Sequence, residues 1–206
     1  MVHQRQVIGV LDTPFSNSAS VINVLNFLEF DSYKIKDSSN VKNFEKIIIP
    51  GIGNFEKMSN YLRDKNFYNE IIDHYDKNKF LLSICLGFQI LFASSEEGEK
   101  AIGLNLYSNR VKKFLSGKTH MGWNRVKFDY ESRLFDKEDF KDKFFYFVHN
   151  YYVKKNEHNP FKYGYTHFDD DTFISYLEDK NFFGLQFHPE KSQQQGVKII
   201  KNFCLL

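Results

Sequence analysis

Residues 80–89 read FLLSICLGFQ, and they join an apolar run to a segment with a different pattern. The run 80–84 has the length and composition of a buried strand, whereas residues 86–93 have helical spacing. Cys85 lies at the junction, with Ser83 two residues before it and Gly87 two residues after it. Small residues at these positions permit the tight strand-to-helix turn called a nucleophile elbow. The pattern predicts an α/β fold with Cys85 presented above the sheet edge.

Two interpretations of Cys85 remain open on this segment alone. A lone cysteine on an apolar strand is usually a small buried core residue. In an elbow, by contrast, the positive end of the helix that begins at Leu86 favours the thiolate. The Leu86 backbone N–H would also point toward a developing oxyanion. The elbow pattern brings the two interpretations close to parity.

Other segments extend the α/β pattern on both sides of residues 80–89. Apolar runs at 7–11 and 47–49 predict strands, and helical spacing covers 18–30 and, as one or two helices, 54–76. Beyond residue 105 we expect short strands at 125–128, 144–148, 173–177 and 182–187, followed by a helix at 196–206. These segments predict a single domain, residues 1–206, with a mostly parallel central sheet flanked by helices and a smaller antiparallel, strand-rich second half.

The composition excludes several classes of protein. Hydrophobic residues make up 42% and aromatic residues 17% of the 206 positions, which is typical of a globular protein and not of a disordered one. The net charge of +2 argues against a nucleic-acid binder. Two cysteines cannot form a disulfide scaffold or a four-cysteine zinc site, and we expect Cys204 to lie in helix core. The first residues lack the apolar core of a signal peptide, and no apolar stretch is long enough to span a membrane, so we expect a cytoplasmic protein.

Two further segments supply candidates for catalysis. His188-Pro189-Glu190 follows a strand-like run, and a thiol nucleophile needs a base and a group that orients the base. The alternative is a histidine and a glutamate at the surface, which is common. Gly51 and Gly53 follow the strand at 47–49, where they permit close approach of the backbone to a ligand. Three interpretations of this loop are open: it supplies an oxyanion donor, it binds phosphate, or it forms an ordinary turn. Phosphate binding is the weaker of the two functional interpretations, because the Gly-rich phosphate motifs are absent.

Five blocks together resemble class I, or triad, glutamine amidotransferases. The elbow block is joined by Pro50-Gly51-Ile52-Gly53 and by residues 184–192, GLQFHPEKS. Residues 120–124, HMGWN, and 145–151, FYFVHNY, narrow the resemblance to the glutaminase subunits of imidazole glycerol phosphate synthase. The order and spacing of all five blocks match the family from about residue 7 to the end of the chain. The resemblance implies a flavodoxin-like class I glutamine amidotransferase fold. It also favours the interpretation of Cys85 as a functional nucleophile over that of a core residue.

The resemblance also implies a mechanism. Cys85 would attack the side-chain amide of L-glutamine and form a thioester, His188 would transfer the proton, and Glu190 would orient His188. The resemblance further assigns residues to oxyanion or substrate binding, and these are Gly51, Gly53, Leu86, Gln89, His149, Asn150 and Tyr151. No metal and no cofactor are expected, since no pair of the remaining histidines has metal-ligand spacing. We also expect low glutaminase activity without a partner, because the loop 50–53 must rearrange to offer its N–H.

The implied partner is a (β/α)8 cyclase subunit that forms a heterodimer with this chain. It would receive the ammonia and make imidazole glycerol phosphate in histidine biosynthesis. The family places one set of residues near this interface, namely Asn17, Met121, Trp123, Asn124 and Lys191. Trp123 has an alternative interpretation as plain core, because a single tryptophan is usually mostly buried.

Departures from the family pattern leave other functions open. The loop Thr13-Pro14-Phe15-Ser16 lacks the usual glycines, which favours a paralogue that supplies ammonia to another acceptor, such as a sugar, with a cyclase-like partner. Asn150 stands where serine or threonine is usual, and Phe88 where methionine is usual. A non-catalytic subunit is disfavoured by the intact triad. A cysteine peptidase or γ-glutamyl hydrolase is disfavoured by residues 120–124 and by Gln89.

Overall fold

The computed structural model of the chain describes residues 6–98, 100–128, 130–135, 144–155 and 159–206. Strands and helices alternate in the first half, in the order β1 (Ile8–Leu11), α1 (Ser18–Phe27), β2 (Ser32–Ile35), β3 (Lys46–Gly51), α2 (Phe55–Asp64), α3 (Phe67–Asp76), β4 (Phe80–Cys85) and α4 (Leu86–Gln89). Strands dominate the second half, in the order β5 (Phe92–Ser95), β6 (Tyr107–Lys113), β7 (His120–Arg125), β8 (Lys127–Phe128), β9 (Phe144–His149), β10 (Tyr151–Lys154), β11 (Lys162–Phe168), β12 (Asp171–Asp179), β13 (Phe182–Leu185) and the helix α5 (Gln193–Leu205).

Eleven strands of the described ranges form one mixed sheet. Its path is β2-β1-β3-β4-β13-β12-β10-β6-β5, and off this path β11 pairs with β12 and β8 pairs with β11. The five strands from β2 to β13 run parallel, and β12 and β10 continue the sheet antiparallel. The strands β7 and β9 form a separate antiparallel ribbon. This architecture confirms the predicted α/β fold, with a mostly parallel central sheet and a strand-rich second half that is largely antiparallel.

The sheet buries apolar side chains on both faces, as a parallel sheet covered by helices requires. In β3, Ile47 and Ile49 pack with residues of α2 and α3, whereas Ile48 packs on the opposite face with residues of α1 and α5. Cys204 is buried in this second cluster, which confirms its prediction as helix core. Burial raises the pKa of the Cys204 thiol to about 12, so this thiol is unreactive at neutral pH.

One predicted helix is wrong in its extent. The helical spacing at 86–93 yields only the single turn α4, and residues 92–95 form β5 instead. The carbonyl oxygens of Ile90 and Leu91 accept hydrogen bonds from the N–H groups of Leu104 and Leu106, at 2.7 and 2.9 Å. Pairing with a distant segment therefore replaces the helical hydrogen bonds that the local pattern favours. Within the described ranges, no helix has the length and apolar character that crossing a membrane requires.

Candidate active site

The elbow between β4 and α4 places Cys85 at the carboxyl edge of the parallel strands. Cys85 has φ 53° and ψ −107°, a left-handed conformation that a residue with a side chain rarely adopts. Close packing holds it there, because a Cβ on Gly87 would lie 2.1 Å from the Ile49 carbonyl oxygen. A Cβ on Gly51 would lie 2.2 Å from the Gly87 backbone nitrogen. Both glycines are therefore required for the elbow to dock on the end of β3.

His188 follows β13, the parallel neighbour of β4, and backbone hydrogen bonds fix its position. Its N–H donates to the Tyr146 carbonyl oxygen at 2.9 Å, which ties it to β9. Its carbonyl oxygen accepts a 2.6 Å bond from the hydroxyl of Ser192, and that hydroxyl accepts from the Tyr146 N–H at 2.9 Å. His188 and Ser192 are both fully buried. The imidazole is thus positioned by a strand of the ribbon as well as by its own strand.

The structure brings His188 and Glu190 into direct contact beside the Cys85 sulfur. His188 Nδ1 lies 2.7 Å from Glu190 Oε1, and both side chains have no solvent exposure. Burial disfavours the imidazolium, but the Cys85 sulfur and the Glu190 carboxylate outweigh it and raise the pKa of His188 to about 10. Burial likewise opposes ionisation of Glu190, yet hydrogen bonds from His188 and Asn17 keep its pKa below the usual value. The pair therefore favours an imidazolium next to a carboxylate.

Cys85 and His188 line one cavity of about 230 Å³. This volume lies below the roughly 300–1,000 Å³ of pockets for drug-sized ligands, so it suits a molecule the size of an amino acid. Most of the residues that the sequence assigned to oxyanion or substrate binding also line it, namely Gly53, Leu86, Gln89, His149, Asn150 and Tyr151. Gly51 and Glu190 are not among the lining residues, since Gly51 supports the elbow and Glu190 lies behind His188.

A chain of hydrogen bonds fixes the floor of this cavity. The side-chain amide of Gln89 donates to the Tyr151 carbonyl oxygen at 2.7 Å, and His149 Nδ1 lies 2.8 Å from the same oxygen. His149 Nε2 lies 2.9 Å from Nδ1 of His120, whose Nε2 lies 3.1 Å from the Asn124 amide nitrogen. An amide nitrogen only donates, so the donors run from Asn124 through both imidazoles to the carbonyl.

Both imidazoles in this chain are neutral at neutral pH. Burial, and then the proximity of His120, keep the pKa of His149 well below its usual value. Burial lowers the pKa of His120 to about 4. Neutral rings can each donate at one nitrogen and accept at the other, which the observed distances require.

The loop 50–53 borders the cavity on the other side of Cys85. Gly53 has φ 97°, which glycine adopts without strain. The N–H of the neighbouring Ile52 donates to the Phe15 carbonyl oxygen at 2.8 Å. The loop after β1 therefore holds the glycine loop in place.

The residues that the sequence assigned to a partner interface divide into two groups. Met121 and Trp123 are 64% and 46% exposed and alternate along β7, so the interpretation of Trp123 as plain core is wrong. Lys191 is exposed at the cavity rim. The side-chain amides of Asn17 and Asn124, by contrast, form hydrogen bonds inside the protein. Asn17 donates to Glu190 at 2.5 Å, and Asn124 donates to the His167 carbonyl oxygen at 2.9 Å.

Three polar residues at the site were not expected there from the sequence. Glu97 and Thr119 line the cavity, and Gln186 donates to the Cys85 sulfur at 3.8 Å. Glu97 accepts the N–H of Phe55 at the start of α2, and burial raises its pKa. The sequence does offer one signal for Glu97, since the adjacent acidic residues Glu96 and Glu97 are followed by Gly98 directly after β5. The described residues contain no group of three His, Cys, Asp or Glu side chains that could hold a metal ion.

Comparisons with known proteins agree with the fold. Residues 15–206 match the family model "Glutamine amidotransferase class-I", and the chain belongs to this family. It is 37% identical to imidazole glycerol phosphate synthase subunit HisH of Caldanaerobacter subterraneus, over 96% of this chain and 97% of the relative. It is 35% identical to HisH of Chlorobium chlorochromatii, over 97% and 100%.

Solved structures support the same fold. A chain of "PurLQS from Thermotoga maritima" superposes with a TM-score of 0.74 at 19% identity, covering 97% of this chain and 98% of that one. A structure described as "glutamine amidotransferase" has a TM-score of 0.73 at 13% identity, covering 97% and 99%.

Proposed function

We propose that this chain is the glutaminase subunit of an imidazole glycerol phosphate synthase. Similarity to subunits of that name extends over nearly the whole chain at 37 and 35% identity, and this observation carries the proposal. The proposal includes a (β/α)8 cyclase partner that receives the ammonia and a cytoplasmic location. Because glutamine is hydrolysed to glutamate and ammonia, the net chemistry at this site consumes one water.

In the proposed mechanism Cys85 is the nucleophile and His188 is the base. The Cys85 sulfur attacks the carboxamide carbon of glutamine, and its proton passes through His188 to the departing ammonia. Glu190 accepts the hydrogen bond from His188 Nδ1, which leaves Nε2 directed at the reacting atoms and stabilises the imidazolium. Water then attacks the thioester with His188 as base and releases glutamate. The pKa of His188, raised to about 10, supports an imidazolium that can deliver a proton to the departing ammonia.

The cavity residues have proposed roles in binding. The backbone N–H groups of Leu86 and Gly53 stabilise the oxyanion of the tetrahedral intermediates. Gln89 and the neutral His149 hold the Tyr151 carbonyl, which together with Asn150 contacts glutamine. The Glu97 carboxylate at the cavity wall is a suitable acceptor for the α-ammonium group of an amino acid.

The experiment that tests this function uses the chain purified with the cyclase subunit from the same genome. We expect glutamine to support formation of imidazole glycerol phosphate from the phosphoribulosyl intermediate, with one glutamate released per product. Free ammonium salt should support the reaction of the cyclase alone. If glutamine supports no product while ammonium does, the assignment of the acceptor is wrong.

The loop 13–16 favours a second candidate, in which the same glutaminase supplies another acceptor. Its hydrogen bonds come from side chains where the family has glycines, with the Ser16 hydroxyl accepting the Thr13 N–H at 3.1 Å. Stimulation of glutamate release by a different cyclase-like partner, without stimulation by the histidine-pathway intermediate, would favour this candidate.

A further inference from the structure

Asn17 makes a contact that neither the established family membership nor the proposed mechanism uses. Its amide nitrogen donates to Glu190 Oε1 at 2.5 Å, across 173 residues of sequence. The same oxygen receives the 2.7 Å contact from His188 Nδ1. A carboxylate only accepts hydrogen bonds, so one oxygen of Glu190 is held by two donors from opposite ends of the chain.

The loop that carries Asn17 is fixed by its own hydrogen bonds. The Thr13 hydroxyl accepts the Phe15 N–H at 3.2 Å, and the Ser16 hydroxyl donates to the Thr13 carbonyl at 2.9 Å. Next to Asn17, the hydroxyl of Ser18 donates to Asp12 at the end of β1. The Asn17 amide is therefore presented from a rigid turn.

The helix α1 begins directly after Asn17 and contacts the short helix 189–191 that carries Glu190. The positive end of a helix dipole stabilises a nearby carboxylate. The Asn17 side chain makes no capping bond to α1, so its amide is committed to Glu190 and not to the helix. A fully buried carboxylate is costly unless donors satisfy it, and Asn17 and His188 are the donors observed on Oε1.

We propose that Asn17 is a positioning residue that acts through Glu190 to orient His188. This inference rests on the proposed glutaminase function and adds a fourth member to the triad. Among the described residues, the titratable groups that act on His188 are Cys85 on β4, Glu190 on its own segment and the neutral His149 on β9. Asn17 carries no charge, so it sets the geometry of Glu190 and stabilises its ionised form.

The test compares Asn17→Ala and Asn17→Asp with the wild-type complex and with Asn23→Ala, an exposed asparagine on α1. We expect kcat for glutamine hydrolysis to fall about 10-fold in Asn17→Ala, with KM unchanged, because the glutamine cavity is intact. Asn17→Asp keeps the shape of the side chain but places a second carboxylate beside Glu190, so kcat should fall further in this variant. Asn23→Ala should behave like the wild type.

The pH profile separates positioning from a general structural effect. Loss of the donor makes Glu190 easier to protonate, so the acid limb of kcat/KM should move to higher pH in Asn17→Ala and further in Asn17→Asp. A lower kcat with an unmoved acid limb, or a wild-type kcat in both variants, would overturn the inference.

A second measurement needs no glutamine and keeps the two proposals distinguishable. The rate of Cys85 alkylation by iodoacetamide is followed against pH in a Cys204→Ala background, which leaves one thiol. We expect the midpoint to move to higher pH in Asn17→Ala, since a less well-held imidazolium stabilises the thiolate less. If this shift occurs in a chain that hydrolyses no glutamine, the proposed function fails while the positioning role stands. If glutamine is hydrolysed and the midpoint stays fixed, the positioning role fails alone.

Discussion

Cys85 combines a strained backbone with a partly enclosed sulfur. Its φ of 53° is maintained because Gly51 and Gly87 leave no room for the elbow to relax. Strain of this kind costs on the order of 1–3 kcal/mol and persists at sites where the surroundings fix the conformation. Gln186 contacts the sulfur from one side, and the residue is only 6% exposed. The elbow therefore aims one thiol into the cavity at the expense of local stability.

The first prediction concerns this thiol. Cys85→Ala should lower glutamine hydrolysis by at least about a thousandfold, because no other group in the proposed mechanism forms the thioester. Release of glutamate measures the loss, and circular dichroism checks the fold. Cys204→Ala is the matched control and should retain activity, since Cys204 lies in the core away from the cavity. A diazo-ketone analogue of glutamine should label Cys85 and leave Cys204 unmodified in mass spectra, and labelling of Cys204 alone would contradict the assignment.

The second prediction concerns the charge of the buried pair. The pKa of His188 is raised from 6.5 to about 10, so the folded state binds this proton more tightly than the unfolded chain does. The resulting stabilisation is complete below about pH 6.5 and is lost as the pH rises toward 10. Glu190→Gln removes the carboxylate, so its unfolding free energy should decline less over this interval. Urea unfolding at several pH values measures the difference.

Asp64→Asn is the control for this experiment, because Asp64 is exposed at the end of α2. Its pH dependence should parallel that of the wild type. Equal slopes for Glu190→Gln and the wild type would show that the Glu190 carboxylate does not contribute to the raised pKa of His188.

At the scale of elements, four neighbouring parallel strands converge on the site. The loop after β1 supplies Asn17, the end of β3 supplies the glycine loop, β4 supplies Cys85, and the segment after β13 supplies His188. In an open α/β sheet, functional groups gather at the carboxyl ends of the strands. The position of the site thus follows from the order of the strands.

The sequence predicted the buried strands well and the edges poorly. β3 and β4 are continuous apolar runs, which leave little ambiguity. β2 reads SYKI and β11 reads KYGYTHF, and such polar strands were not predicted because their pairing depends on distant partners. A related limit applies at the site, where Gln186 lies in a predicted strand and Thr119 directly precedes a recognised block, but neither local pattern indicates a contact with Cys85 or the cavity. The helix α4 is shorter than its helical spacing predicts, because the residues that follow it form hydrogen bonds with a distant segment instead.

The third prediction concerns the docking of α4 on β3. Gly87→Ala would force a Cβ to within 2.1 Å of the Ile49 carbonyl oxygen, and backbone cannot move aside cheaply. We expect a loss of about 3 kcal/mol or more in the free energy of unfolding. Gly117→Ala is a matched control, because a Cβ there would meet nothing within 4 Å and only the φ of 70° opposes the substitution, at about 1–2 kcal/mol. Similar losses in the two variants, measured by urea unfolding, would contradict the close packing of the elbow.

On the scale of the whole molecule, the ribbon of β7 and β9 connects an exposed apolar face with the cavity. Met121 and Trp123 face solvent, while His120 on the same strand bonds to His149. The ribbon also anchors His188 through Tyr146. A large exposed apolar pair on a strand that contacts the site is typical of a protein–protein interface and not of scattered surface residues.

The fourth prediction follows from this arrangement. The isolated chain should hydrolyse glutamine slowly, and the proposed cyclase partner should accelerate the hydrolysis, because a partner that docks on the ribbon would act on the strand that holds His188. Trp123→Ala should weaken association roughly 10-fold or more, as loss of an aromatic anchor does, with the slow rate of the isolated chain unchanged. Leu115→Ala is the control, since Leu115 is 83% exposed and lies outside the ribbon. Titration of partner against glutamate release measures both effects. Because the substitution removes affinity and not chemistry, saturating partner should restore the accelerated rate, whereas full acceleration at wild-type partner concentrations would exclude this face as the interface.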